Sequence, residues 1–317
     1  GENHIWLVQA DGGPARRLTE KPINTETEGC GVCYSNFSWS PDGSQIVYTD
    51  GDNEIANLYT LDLVGGETKQ LTDLAGENRW PNWGSDGNKI IYVRVQEGAN
   101  EFWTLNLQSG EHKKVNIKGG GGTNPTWSPN MEWIAFQQRE PSFGRATYIT
   151  RYSNGETHRV GATDYASGGA VWDRSGERLI YHSAKNTGPL VLFDVKTGLS
   201  KTVLESFRPL AYANQWASWS PDGRYLAFYR IIYGVSGKPE IALYTMSAAD
   251  RGLKRIVSSV FQKDYFKKQA PDWIPDQNLL VSIVEGAGNS QIITADTSGN
   301  HLQTLTSSNT IKSEISA

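Results

Sequence analysis

Cysteine, methionine and histidine are almost missing from this chain: two, two and five among 317 residues. Five imidazoles supply too few ligands for a multi-histidine metal centre unless the fold brings them together. Long apolar runs are missing as well. None approaches the ~18 residues that cross a bilayer, and no signal peptide opens the chain, which is expected to be a mature or trimmed form because Gly1-Glu2-Asn3-His4 runs straight into the strand-like IWLV. An excess of basic charge is also absent. With 30 Lys and Arg against 34 Asp and Glu, the net charge is -4, so there is no general attraction for phosphate backbones and no nucleic-acid partner is expected.

What the chain does have is 11 Trp, 14 Tyr and 33 Gly, a composition that favours an all-β protein rich in turns. The phrase FSWSPDGSQIVYTD at 37–50 returns almost unchanged as ASWSPDGRYLAFYR at 217–230. Aligned on the tryptophan, the phrase occurs at Trp39, Trp83, Trp127, Trp172, Trp219 and Trp273, at spacings of 44, 44, 45, 47 and 54 residues. A period of ~40–45 residues matches a propeller blade of four strands.

Each unit divides in the same way. The tryptophan is expected to begin a short inner strand, and Pro-Asp-Gly or a relative makes the turn. A second, apolar strand follows (QIVYTD, KIIYVR, WIAFQQ, RLIYHS, YLAFYR, LLVSIV), then a third (NLYTLDL, EFWTLNL, ATYITRY, LVLFDV, IALYTM, QIITAD) and a fourth such as TKQLT. One unit cannot bury its own apolar faces, whereas six in succession can. The tryptophan therefore reads as a wedge between blades, and Trp39 and Trp219 are expected to be buried. Residues 4–19, HIWLVQADGGPARRLT, match the outer hairpin with no tryptophan unit before them, and TIKSEISA at 310–317 falls where another inner strand would begin. The fold expected is an all-β propeller of four-stranded blades, a single domain over 1–317. It has seven blades with the last closed by both termini, or six with a spare hairpin.

The W-S-P-D-G turn, the apolar strand after it and the IYxMD-x-GG-xxRxLT hairpin resemble the TolB-type, WD-repeat-like propeller repeat over nearly the whole chain. The likeness is closest in units one, two and five and more distant in WDRSG and WIPDQ. It implies a propeller, a location in the bacterial envelope and a terminal closure like that of the family. TolB itself carries an α/β domain ahead of a six-bladed propeller, and no segment of this chain is expected to match that domain.

Related propellers include gates on serine peptidases and oligosaccharide lyases, so chemistry has to be sought. A nucleophile elbow requires G-x-S-x-G; Gly234-Val235-Ser236-Gly237 has the wrong spacing and follows a propeller strand. His112, His158 and His301 fall at the turn between third and fourth strands, His4 is terminal, and His182 alone sits where it could reach the loop face. Asp50, Asp52 and Glu54 alternate like a weak calcium loop, without the glycine position or helices of an EF-hand. No other cofactor is expected. GGGG at 119–122 lacks the Lys-Ser/Thr of a phosphate loop and reads as a flexible connector. Cys30-Gly31-Val32-Cys33 is followed by Tyr34, which excludes haem attachment, and has no further zinc ligands nearby. A local disulfide in an oxidising compartment is the most economical reading.

What remains is surface. The blade-linking loops and the loops between second and third strands share one face of a propeller. On that face fall Arg79-Trp80 and Gln215-Trp216, in units expected to lie across the ring from each other. Arg94, Arg139, Arg145, Arg208, Tyr212, Arg230, Tyr233, Tyr265 and Lys268 belong to the same loop classes. Such side chains dominate binding hot spots, although Trp80 and Trp216 could equally plug the gap between blades. The function expected is a non-catalytic scaffold that binds a protein or peptide partner in the bacterial cell envelope, the periplasm or outside the cell. The rival readings are a propeller that binds or cleaves carbohydrate and a structural subunit of a larger extracellular assembly. The sequence does not define an oligomeric state.

Overall fold

A computed structural model describes residues 4–23, 37–51, 55–73, 76–117, 119–140, 144–161, 170–182, 189–205, 212–233, 239–259, 270–275, 277–285 and 290–306. Every regular element among the described residues is a strand, and the order follows the repeats read from the sequence. A two-stranded hairpin, Trp6–Leu7 with Arg16–Arg17, precedes six antiparallel four-stranded repeats. The chain divides into two compact units: residues 1–7 with 16–162, and residues 8–15 with 163–317. In the first unit, repeat 1 comprises Phe37–Trp39, Gln45–Gly51, Ala56–Asp62 and Thr68–Gln70. Repeat 2 comprises Glu77–Trp83, Lys89–Gln96, Ala99–Asn106 and His112–Lys114. Repeat 3 comprises Thr123–Trp127, Trp133–Glu140, Gly144–Arg151 and Thr157–Arg159. In the second unit, repeat 4 runs Val171–Trp172, Arg178–His182, Leu190–Asp194 and Ser200–Leu204. Repeat 5 runs Tyr212–Trp219, Tyr225–Tyr233, Pro239–Ser247 and Leu253–Ser259. Repeat 6 runs Asp272–Ile274, Leu279–Glu285, Ser290–Ala295 and Gln303–Thr304. Each repeat pairs its strands in chain order. Repeats 1 and 2 are further joined by one parallel bridge, Ala56 beside Glu77.

The central strands are apolar on both faces because both faces pack. Ile46 and Tyr48 belong to a cluster with Leu18 and Leu63, while Val47 on the opposite face packs with Trp83, Ile90 and Tyr92 of the next repeat. The inter-repeat cores repeat this pattern, with Phe102 and Phe136 edge to face at 5.0 Å between repeats 2 and 3. Four anchor tryptophans, Trp83, Trp127, Trp172 and Trp273, are buried as expected. Trp39 and Trp219 differ: each is half-buried, packed against the edge of its cluster and not enclosed within it.

The residue before an anchor tryptophan links it to its neighbour. Ser38 Oγ accepts from the Trp83 amide at 3.1 Å, Asn82 Oδ1 from the Trp127 amide at 2.8 Å and Ser218 Oγ from the Trp273 indole at 3.0 Å. Two residues after the tryptophan a second link recurs: Ser85 Oγ donates to Pro129 O at 2.7 Å and Arg174 to Pro221 O at 3.0 Å. The fourth strand ends on a threonine for a similar reason. Thr72 Oγ1 accepts the amide of Leu58 at 2.9 Å and Thr306 Oγ1 that of Ile292 at 2.9 Å. Thr19 does the same for Ile5 at 3.1 Å, so the N-terminal hairpin is built like the outer hairpin of a repeat. At its tip, Gln303 Nε2 donates to Asp11 O at 2.9 Å.

Three glycines carry packing constraints. The connector at 119–122 is not a loose linker: a Cβ on Gly121 would collide with the carbonyl of Asn100, and one on Gly122 with that of Gln137. Gly84 stands where the turns of repeats 1, 3, 4 and 5 have Ser or Asp, and a Cβ there would strike the Met131 thioether. Met131 itself takes the turn position that Gly43 and Gly223 occupy elsewhere, at φ 59°.

The Ser-Pro-Asp-Gly turn is a closed hydrogen-bond circuit. Ser220 Oγ donates to Asp222 at 2.6 Å and accepts the Tyr225 amide at 2.9 Å, while Asp222 also accepts from the Arg224 amide at 3.0 Å and Asn278 at 2.9 Å. Ser40 with Asp42 and Ser128 with Asn130 repeat the pattern. Burial alone would raise the Asp222 pKa, but the bonds from Ser220 and Arg224 outweigh it and hold it down at about 2, against an ordinary 3.8. A depressed carboxylate contributes stability that is complete above its unfolded value and lost as pH falls toward its folded one. Asp222→Ala should therefore cost about 1–2 kcal/mol at pH 7. That cost should shrink in denaturant melts as pH falls through about 2, and a cost that stays the same from pH 7 down through that range would show that the charge is not the source.

Candidate binding surface

The three residues that precede the anchors of repeats 2, 3 and 5 by three positions share an unusual backbone. Trp80, Asn124 and Trp216 have φ of 51°, 54° and 49°, the left-handed region that side chains other than glycine rarely occupy. Each begins a two-for-one bulge, with register shifts at Arg79/Asn82, Thr123/Thr126 and Gln215/Ser218. In all three cases the residue opposite the bulge is a buried ring: Tyr92, Phe136 or Phe228. Trp80 consequently packs in the core between repeats 2 and 3 with Val115, Trp127 and Phe136, and is 9% exposed. Trp216 is half-buried against the cluster holding Trp273, edge to face with Tyr229 at 6.2 Å.

The bulge also reverses the alternation before it. Arg79 stands in register with Val93, on the face that packs against repeat 3, and is 7% exposed with its Nε 2.8 Å from Glu77. It is thus part of the packed structure and not displayed. Gln215 and Tyr212 are in register with Tyr229 and Ile232. The Arg230 guanidinium lies over the rings of Tyr244 at 5.2 Å and Phe228 at 6.0 Å. Arg94 lies over Trp103 at 5.4 Å, beside Glu101, whose carboxyl is held low by Lys114 and the Trp103 indole. Tyr265, Arg208 and Lys268 lie outside the described residues, as do Cys30, Cys33, Asp52 and Glu54; Tyr233 closes a strand of repeat 5, and Asp50 is the next-to-last residue of one in repeat 1.

Each histidine whose side chain is described has its own partner. His112 Nδ1 is 2.9 Å from the buried Tyr92 hydroxyl, and burial lowers its pKa. His158 pairs with Glu156, His301 with Asp296, and His4 with Thr19. Among the described residues no group of three or more His, Cys, Asp or Glu could hold a metal. Sequence reasoning singled out Arg139 and Arg145 but missed Gln137 and Thr147, buried polar residues on the second and third strands of repeat 3; repeat 1 likewise buries a polar residue, Thr49, at the position of Gln137. Their signal was the polar QQRE ending of an otherwise apolar strand.

Four-stranded antiparallel repeats of this period, wedged by tryptophan, define a β-propeller. A family model described as the TolB beta propeller domain matches residues 35–209, and the chain belongs to that family. No curated protein matches it. Among solved structures it is similar to TolB from Acinetobacter baumannii, at 17% identity and a TM-score of 0.58, over 83% of this chain and 63% of that one. It therefore spans less than two thirds of that relative. It is also similar to an oligogalacturonate lyase from Vibrio parahaemolyticus, at 14% identity and a TM-score of 0.68, over 96% of this chain and 84% of that one. A puromycin-hydrolyzing peptidase from Mycobacterium tuberculosis aligns at 15% identity and a TM-score of 0.59, over 82% of this chain and 43% of that one. Likeness at such identities concerns the fold. No helix among the described residues is long and apolar enough to cross a membrane.

Because Trp80 is enclosed, Trp80→Ala should destabilise the protein by about 3–5 kcal/mol. The exposed Trp6 provides the control, since Trp6→Ala should change stability by less than about 0.5 kcal/mol. Urea melts of both variants decide it, and a Trp80→Ala protein as stable as the parent would remove Trp80 from the core.

Proposed function

We propose that the chain is a non-catalytic propeller that binds a protein or peptide partner in the bacterial cell envelope or outside the cell. The observation that carries this reading is the match of residues 35–209 to the TolB beta propeller domain. The carboxylates with lowered pKa, Asp42, Asp86, Asp222 and Asp296 among them, cap turns and belong to the architecture. Membership of the TolB propeller family supports the envelope location. Residues 1–317 form one seven-bladed propeller in this reading: the hydrogen bonding of the N-terminal hairpin, where Thr19 accepts the Ile5 amide, supports a seventh outer pair. Cys30 and Cys33 form a disulfide in the exported protein, which mass spectrometry without reductant would detect as a loss of two hydrogens.

The partner-binding face is assigned to the loop side of repeat 5, where Tyr212, Gln215, Trp216 and Arg230 follow one another along paired strands, with Tyr265 in the next link. Trp80 and Arg79 support the fold in this reading. A pull-down from envelope extract should recover partners with the parent protein and lose them with Trp216→Ala plus Arg230→Ala, a variant that still unfolds cooperatively but at a lower melting temperature, since both side chains also pack on rings. Equal recovery by both proteins would exclude this face. Binding to a glycan array instead would favour the carbohydrate reading.

A further inference from the structure

In three repeats a buried tyrosine on the second strand reaches past the third strand to the first residue of the fourth. The Tyr48 hydroxyl bonds to Thr68 in repeat 1, that of Tyr92 to His112 in repeat 2 at 2.9 Å, and that of Tyr181 to Ser200 in repeat 4 at 3.4 Å. All three tyrosines are buried, Tyr92 completely. The second and fourth strands share no ladder, so the bond clasps the outermost strand to the interior of its sheet. Where the ring is phenylalanine, as at Phe136 and Phe228, there is no hydroxyl to make the clasp.

Two of these clasps join hydroxyl to hydroxyl, a pairing that does not change where imidazole titrates. Repeat 2 uses an imidazole instead. Among the described residues His112 Nδ1 is the one hydrogen-bond partner of the Tyr92 hydroxyl. A buried hydroxyl hydrogen without an acceptor is costly, so Nδ1 accepts it and the neutral ring carries its own hydrogen on Nε2. A proton on Nδ1 removes that acceptor. The surroundings resist the charge as well. The ring stands edge-on to Tyr92 at 6.1 Å and His112 is in register with Leu105, and both neighbours pack with Leu58 and Leu71 of repeat 1. Of the charged groups, Arg94 on the second strand opposes an imidazolium and Asp73, which follows the outer strand of repeat 1, favours it; burial dominates and lowers the pKa. On the third strand Glu101 is already engaged by Lys114 and the Trp103 indole, while Glu111 and Lys113 beside His112 are exposed.

We propose that Tyr92 and His112 form a pH-sensitive clasp, closed at neutral pH and released on acidification, through which the outer strand of repeat 2 loosens from its sheet and from the seam with repeat 1. A group whose folded pKa lies below its unfolded value contributes stability that is complete above the unfolded value and lost as pH falls toward the folded one. For a histidine the loss therefore begins below about pH 6.5. The hydroxyl clasps of repeats 1 and 4 hold through the same range, which confines the response to one repeat. His158 and His301 pair with Glu156 and Asp296 in other repeats, outside this seam.

The test is amide hydrogen exchange on the full chain at about pH 7.5 and about pH 5, corrected for the intrinsic effect of pH on exchange. The reporter is the Val115 amide, which bonds to Phe102 O at 2.8 Å just beyond the outer strand of repeat 2, and the control is the Val160 amide, which bonds to Thr147 O at 2.9 Å in repeat 3. In the parent, protection at Val115 should fall roughly tenfold on acidification while that at Val160 holds. His112→Thr, which installs the residue of repeat 1, should be protected equally at both pH values. The His112 ring nitrogens, followed by NMR in the parent, give a second reading: the neutral ring should carry its hydrogen on Nε2 at the higher pH and take up the second proton as Val115 protection falls. Unchanged protection in the parent, an equal fall at Val160, a pH dependence that survives His112→Thr, or a hydrogen on Nδ1 at the higher pH would overturn the proposal.

Discussion

The structure depends on the burial of one repeat's face against the next. Within a repeat the hydrogen bonds are local, but the apolar strands have packing partners only in the neighbouring repeat. Val47 finds Trp83, Phe102 finds Phe136 and Leu243 finds Trp273. At ~25 cal/mol per Å² of apolar surface, each such interface supplies stability that no single repeat could supply alone. The bonds from Ser38, Asn82 and Ser218 to the following tryptophan then fix how the faces meet. They are few and directional, and set register where the apolar contacts do not.

Much of this was legible in the sequence because it follows from local chemistry. The tryptophan period, the Ser-Asp turn circuits and the apolar second strands each have a residue-level signature, and each is present where expected. The inner-strand bulges were not legible. Nothing in RWPNW or QWASW signals that the first tryptophan adopts a left-handed backbone, since propensity argues against it there and only the buried ring across the sheet compensates. One bulge reverses side-chain alternation for every residue before it. That is why Arg79, expected at the surface, is enclosed. The burial of Trp39 and Trp219 was likewise overestimated, because motif quality measures turn geometry and not what lies beyond the ring.

The polar positions divide along the same line. Asp42, Asp86, Asp222 and Asp296 are explained by the turns that they close, so their frequency signals architecture. Gln137 and Thr147 are explained by no turn and no strand end.

The contact of Met131 with Gly84 has a different consequence. Repeats of one period invite duplication, deletion and shuffling, since each copy fits any other in principle. Here repeat 2 lacks a side chain where repeat 3 places a thioether in a glycine's conformation. Neither residue tolerates the consensus partner in the other's place: serine at 84 meets sulfur, and glycine at 131 leaves a gap. The two repeats have thereby lost their interchangeability. Their order along the chain is written into the packing, and any route back to a uniform array must pass through a less stable intermediate.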